Sequence, residues 1–291
     1  MKETLIIKLG ALGDVVRTTT LLNVLDGNIT WFTKPNAKPL LENIPAITGL
    51  TSDINDISGR HFDEVFSLDD DIDGCSILKQ ITFDKLYGFY ESSGKILPMP
   101  EAAEWWAMSL NGPEDRDERK QANRESFQHY LFKNVGRVFN GEDYCLGYAP
   151  KDVSENIIGL EAHAGDRWPM KIWPYYAELE KKLIENGFKT RKFETKPDIR
   201  EYVADINECK LVVSGDSLAM HLALALKKKV VGIFGPTSPY EIEMYGRGKK
   251  VFANMDCISC YKKAICEKNP NCMQSISVGD VYNVIMGLLN E

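Results

Sequence analysis

A chain of 291 residues, 44% of them hydrophobic and 26% charged, has the balance of a globular protein and room for one large or two ordinary α/β domains. Its formal net charge of −7 speaks against a nucleic-acid binder, whose domains carry a basic surface excess. No apolar run approaches the roughly 20 residues that span a bilayer. Met1-Lys2-Glu3-Thr4 enters a strand with no apolar signal core or small-residue cleavage site, so the cytoplasm is the expected compartment. There the seven cysteines serve as reduced thiols or metal ligands.

Thr4 to Leu9 is a short apolar run stopped by Gly10, and a helix-like stretch follows from Asp14 to about Leu25. Ile29 to Thr33 is rich in β-branched and aromatic residues, which completes a βαβ unit. Phe62 to Leu68 reads as a further strand and Gln121 to Phe139 as one long helix. Gly141 to Ser154 reads as a linker, after which the alternation restarts. Strands are expected at Asn156–Leu160, Phe188–Phe193, Lys210–Ser214 and Val230–Phe234, with helices at Tyr175–Asn186, Ile199–Ile206 and Ser217–Leu226. Such alternation on both sides of a linker implies two parallel-sheet α/β domains, 1–150 and 151–291.

Three loops carry chemistry. Gly10-Ala11-Leu12-Gly13-Asp14 follows the first strand, where a parallel sheet opens a ligand crevice. It lacks the third glycine and terminal acid of a dinucleotide fingerprint, since the second strand ends Thr33-Lys34, and it lacks the Gly-Lys-Ser/Thr of a P-loop. By itself it is a tight turn with Asp14 in or capping the helix start. His163-Ala164-Gly165 to Lys171-Ile172-Trp173-Pro174 is a strand-to-helix loop in which small residues and Lys171 can face an anion. Gly215-Asp216-Ser217-Leu218 lies where a buried strand turns into a helix whose N–H groups attract negative charge, with His221 one turn in on the face of Ser217. An N-cap with a satisfied core histidine is the plain alternative there.

Taken together, Lys8-Leu9-Gly10-Ala11-Leu12-Gly13-Asp14-Val15-Val16-Arg17-Thr18-Thr19, the Lys-x-Trp-Pro loop, and Asp216-Ser217-x-x-x-His221 followed by Phe234-Gly235-Pro236-Thr237 resemble glycosyltransferase family 9, the ADP-heptose heptosyltransferase family. Residues 70–120 match no part of that pattern. The resemblance implies a GT-B type fold of two Rossmann-like domains facing each other across a cleft, with an acceptor-binding N-terminal half and a donor-binding C-terminal half. It implies inverting transfer of a sugar, heptose first, from an ADP-sugar to an acceptor hydroxyl, as in lipopolysaccharide biosynthesis. Asp14 is then the catalytic base. Lys171 and the amides around Gly215 to Leu218 stabilise the leaving diphosphate, so no catalytic metal is expected. His163, Gly165, Asp216, Ser217 and His221 hold the donor, and Glu194, past a strand end, meets the ribose. The acceptor stays open among a glycan, a protein hydroxyl and a small molecule, with transient contact at the inner membrane face if it is a lipid. A non-catalytic sugar-nucleotide or glycan-binding protein of the same fold is the second reading.

Other features compete. Asp69-Asp70-Asp71-Ile72-Asp73-Gly74 mimics a calcium loop but has Gln80 where the bidentate Glu belongs, and Asp69-x-Asp71 mimics a metal-binding acidic pair; a solvated loop is the expectation. Trp105-Trp106 suits packing or sugar stacking equally. Cys257, Cys260, Cys266 and Cys272, spaced C-x₂-C-x₅-C-x₅-C among Lys262, Lys263 and Lys268, can grip one structural zinc or iron ion tetrahedrally. A subset of the resembled family that modifies autotransporter proteins has a four-cysteine iron finger, and disulfides or free thiols stay open as alternatives.

Overall fold

The computed structural model describes all residues except Ser154, residues 164–167 and Lys263, and divides into two units, Met1–Tyr148 and Ala149–Glu291. In the first unit, β1 (Glu3–Ile7) leads through α1 (Leu12–Thr18) to β2 (Asn28–Phe32), α2 (Lys38–Leu41), β3 (Gly49–Thr51), β4 (His61–Ser67), α3 (Ile72–Ser76), β5 (Thr82–Ser92) and β6 (Lys95–Pro98). Three helices close it: α4 (Ala103–Trp106), α5 (Arg116–Ala122) and α6 (Phe127–Asn134). The sheet order is β3-β2-β1-β4-β5-β6, parallel throughout except for the β5–β6 hairpin.

Period-2 side-chain alternation puts apolar residues on both faces of this sheet. Ile6, Trp31 and Phe66 pack with Phe127, Leu131 and Phe132 of α6. Leu5, Ile7, Phe32 and Val65 face the other way, onto Ile77 and Ile81. Gly88, at φ +89°, lies opposite Ser67, where an added Cβ would fall 1.9 Å from the Ser67 carbonyl oxygen, so only glycine lets β5 pass.

The structure corrects two helices. The helix expected from Asp14 starts at Leu12 and has only seven residues, ending at Thr18, before tightening into a 3₁₀ segment, Thr19–Asn23. Thr18, Thr19 and Thr20, all buried, bond their hydroxyls back to the carbonyls of Asp14, Val16 and Arg17 at 2.8, 2.7 and 3.0 Å, which competes with the regular ladder. The expected helix over 121–139 is α5 and α6, broken where the Asn123 side chain accepts the Glu125 N–H at 2.8 Å and Ser126 caps α6 through the His129 N–H at 3.1 Å.

The second unit runs β7 (Ile157–Glu161), α7 (Tyr176–Glu185), β8 (Lys189–Lys192), α8 (Ile199–Asn207), β9 (Leu211–Gly215), α9 (Leu218–Ala225), β10 (Lys229–Phe234), β11 (Gly248–Phe252) and α10 (Val278–Asn290). Its sheet is all parallel, in the order β11-β10-β9-β7-β8. One face, with Leu160, Val213 and Ile233, is covered by α7 and α10 through Leu179, Leu183, Val281 and Ile285. Among the described residues, no helix is long and apolar enough to cross a membrane.

Candidate functional site

From β7 the chain goes to β8 on one side and, later, to β9 on the other, so the order of the second sheet reverses between β7 and β9. Loops leaving adjacent strands in opposite directions open a crevice at their carboxyl ends. Glu161, His163, Lys171, Tyr176, Asp216 and Ser217 line that crevice. Lys171, on a 3₁₀ turn, holds its ammonium 2.8 Å from Asp216 Oδ2 and 3.1 Å from the Asp216 carbonyl oxygen, over the Trp168 ring. The other Asp216 oxygen lies 3.9 Å from Nε2 of the buried His221.

The start of α9 departs from the plain N-cap. Ser126 and Ser277 bond the N–H groups of their own helices through their hydroxyls. Ser217 occupies the N-cap of α9 without such a bond, and its Oγ lies 2.8 Å from Ser214 Oγ. The first-turn N–H groups thus receive no cap from the Ser217 hydroxyl, and they lie beside a cation and an imidazole. A helix start of this kind favours an anion by about 0.3–1 kcal/mol, and up to about 2 kcal/mol when partly buried. Lys171, Gly215, Asp216, Ser217, Leu218 and His221 therefore come together.

The remaining expected donor residues do not all join them. His163 donates its N–H to Glu161 Oε1 at 2.9 Å, while its ring is 73% exposed at the rim. Glu194 is exposed and outside the lining of the crevice. Gly165 lies outside the described residues.

The first sheet reverses between β1 and β4, and the Gly10 turn leaves from that point. The Lys8 ammonium sits 2.7 Å from Asp69 Oδ1 and donates to the Leu68 carbonyl at 3.1 Å, while the Leu9 N–H donates to Asp69 Oδ2. Both side chains are buried, so Asp69 is not the solvated loop residue its sequence setting suggests. Burial lowers the Lys8 pKa, but the charge of Asp69, aided by Asp14 and Asp70, overcomes this and holds it above the ordinary lysine value. A Cβ on Gly10 would fall 2.9 Å from Asp69 Oδ1, so the ion pair itself demands glycine there. Asp14, in the first turn of α1, keeps its side chain 39% exposed, 3.4 Å from Arg17, whose guanidinium lies 3.7 Å over the Phe127 ring. A carboxylate so placed can take a proton from an incoming hydroxyl.

Residues 194–271 match the model of glycosyltransferase family 9 (heptosyltransferase). That segment is similar to family 9. Lipooligosaccharide heptosyltransferase 2 of Campylobacter jejuni serotype O:2 is 31% identical over 119 residues, which is 39% of this chain and 36% of that protein. Lipopolysaccharide heptosyltransferase 2 of Escherichia coli K12 is 32% identical over 100 residues, 24% of this chain and 29% of that protein. The chain thus spans about a third of the length of the curated relatives it matches. Among solved structures, E. coli heptosyltransferase WaaC with ADP-2-deoxy-2-fluoro heptose superimposes with a TM-score of 0.65 at 15% identity, covering 99% of each chain. The iron-containing dodecameric glycosyltransferase TibC of E. coli H10407 gives a TM-score of 0.60 at 14% identity, over 99% of this chain and 76% of that one. The fold is therefore that of the GT-B heptosyltransferases.

Cys257, Cys260 and Cys266, within the family 9 segment, and Cys272, one residue beyond it, carry free thiols. The Cys272 thiol is pushed up to about 11, by burial first and then by Cys260, Cys266 and Cys257. Among the described residues, the trio of potential metal-ligand atoms within 4.8 Å of one another is His61, Asp63 and Asp84 rather than a set of these thiols. The cysteine segment packs on the turn after β10: a Cβ on Gly235 would fall 2.7 Å from Cys272 Sγ, and the N–H groups of Ser259 and Tyr261 donate to the carbonyls of Gly235 and Pro236. Tyr261 donates to Glu241 Oε1 at 2.5 Å, and its hydroxyl is pushed upward by burial, by Glu241 and by Asp216.

Glu161 is a site residue the sequence reading missed. It is buried at the end of β7, accepts the Tyr202 hydroxyl, and helps burial raise the Tyr176 and Tyr202 phenols. An acidic residue closing an apolar strand was its one sequence signal.

Proposed function

We propose that the protein transfers a sugar, heptose first, from an ADP-sugar to an acceptor hydroxyl with inversion at the anomeric carbon. The observation that carries this is the start of α9, where N–H groups that Ser217 does not cap, Lys171 and His221 converge on a position suited to a diphosphate. The acceptor oxygen attacks the anomeric carbon as Asp14 takes its proton, a general-base contribution of typically 10²–10⁴-fold. The bond from the anomeric carbon to the diphosphate breaks on the opposite side, and the electron pair leaves with ADP. Lys171 and the first-turn N–H groups meet the charge that grows there, counting more as it develops than in the ground state. Bound diphosphate competes with Asp216 for Lys171, which frees that carboxylate to accept sugar hydroxyls. The relatives named for heptosyl transfer support the donor, and a cytoplasmic place accompanies it. The acceptor is a glycan, a protein hydroxyl or a small molecule.

The donor chemistry of four thiols also suits a structural zinc or iron ion at Cys257, Cys260, Cys266 and Cys272, bracing the Gly235 turn. TibC, described as iron-containing, supports iron. Calorimetry with ADP, UDP and GDP, followed by turnover of ADP-heptose, tests the whole reading. ADP binding at least about tenfold tighter than the other two is expected, and absence of ADP binding overturns it.

A further inference from the structure

Beyond the carboxyl end of β4 the first unit holds an open cavity of about 540 Å³, in the stretch 70–120 that resembles nothing in the family pattern. One wall is apolar: Trp105, Met108 and Ile72 line it. Trp105 is stiffened from behind by Phe127, edge-on at 5.4 Å, and by Tyr130 at 5.5 Å, and it stays partly exposed. An indole braced in this way is a platform for the CH face of a pyranose ring.

The polar part of the lining is rich in acceptors. Asp70 and Asp71 bring two carboxylates. Asp71 spends one oxygen on the Gly74 N–H at 2.8 Å. Asn111 commits its NH₂ to the Asp70 carbonyl at 2.6 Å, which leaves its side-chain oxygen to accept. Against these stand, among the described residues of the lining, the Ser109 hydroxyl and one cation, Lys120. Sugar hydroxyls donate protons and suit such a lining, whereas phosphate or carboxylate groups need donors and cations. The cavity also adjoins the Gly10 turn that leads to Asp14, since Asp70 follows Asp69, whose carboxylate lies 2.7 Å from the Lys8 ammonium and against Gly10.

We propose that this cavity is the acceptor subsite and takes an uncharged pyranose, its CH face on Trp105 and its hydroxyls on Asp70, Asp71 and Asn111, and that it discriminates against phosphorylated or carboxylated sugars. The word acceptor rests on the transferase reading; the sugar site and its charge preference do not.

Ligand-observed NMR titration of the full chain with methyl glucoside, methyl galactoside and methyl mannoside, and with the corresponding hexose 6-phosphates, tests it, with ADP calorimetry run in parallel. At least one uncharged glycoside is expected to bind about tenfold or more tighter than its phosphate, a difference of about 1.4 kcal/mol. Asn111→Ala and Trp105→Ala are expected to weaken it severalfold. In the Asp70→Asn/Asp71→Asn double variant the gap to the phosphate should shrink, a change that a merely structural role would not produce. ADP binding checks that each variant is folded in its second unit, and circular dichroism checks the first. Phosphates binding as tightly as the glycosides, no glycoside binding at all, or glycoside binding unchanged in folded Asn111→Ala would each overturn the proposal. Glycoside binding without ADP binding would instead sink the transferase reading and leave the sugar site standing.

Discussion

Replacing Lys8 by Met keeps the stem of the side chain and deletes the charge that Asp69 needs. Lys8 is 7% exposed and Asp69 4%, so little water reaches either, and the stranded carboxylate keeps the Leu9 N–H and whatever the turn can offer. Removing one partner of a buried, hydrogen-bonded pair typically costs about 3–5 kcal/mol. For a unit of this size that is a fall in melting temperature of roughly 10 °C. Urea unfolding followed by tryptophan fluorescence, to which the fully buried Trp31 of the same core contributes, measures the loss. Replacing both partners, as Lys8→Met/Asp69→Leu, should recover much of it, because no buried charge is left over. The pair also sets a sign for pH. Since the folded Lys8 pKa stands above 10.5, its stabilisation is complete below about pH 10.5 and drains away as pH rises through the folded value. The wild type should therefore lose stability more steeply than Lys8→Met in strong alkali. A single variant within about 1 kcal/mol of wild type, or parallel alkaline profiles, would refute the argument.

Asp14→Asn should lower turnover by about 10²–10⁴-fold while leaving ADP affinity within a few-fold; a variant retaining more than about a tenth of the activity would remove Asp14 from the base role. Lys171→Ala should weaken ADP binding about tenfold or more, the worth of a charge-assisted contact, and slow transfer further; unchanged calorimetry and turnover would show that the loop serves something else. Elemental analysis of protein prepared without chelator or reductant should find close to one equivalent of zinc or iron per chain. Well under about half an equivalent, with four titratable thiols in the native state, would sink the metal.

What the sequence disclosed and what it hid follow from how far each feature reaches along the chain. The β1, β2, β4, β7, β9 and β10 segments are short, largely apolar runs between breakers, a local signal, and the Gly10 and Gly215 turns sit at their ends where parallel-sheet geometry puts ligands. The β5–β6 hairpin was not legible because Asp84, Lys85, Gly88 and Glu91 interrupt its apolar pattern, and its support comes from β4. The break between α5 and α6 was hidden by helix-compatible residues on both sides, and it is settled by side chains that cap and turn the backbone locally. Asp69 looked like a solvated acid until its partner, 61 residues away, was in view. Glu161 likewise depends on Tyr202, 41 residues distant. Long-range polar pairing in a buried setting leaves no periodicity to read.

The outer strands of the two sheets bear on how the protein behaves when crowded. β8 is Lys189-Thr190-Arg191-Lys192, its charges committed to Glu155, Asp205 and Glu180. β11 opens Gly248-Lys249-Lys250, β3 has only three residues, and β6 ends in Pro98, which has no N–H to offer. A strand from another copy approaching any of these borders meets lysines, a short ladder or a missing donor, which are the devices that blunt edge-to-edge self-association. Exchanging the β8 cations for valine and threonine would therefore be expected to leave each sheet intact and increase self-association on concentration, as read by light scattering.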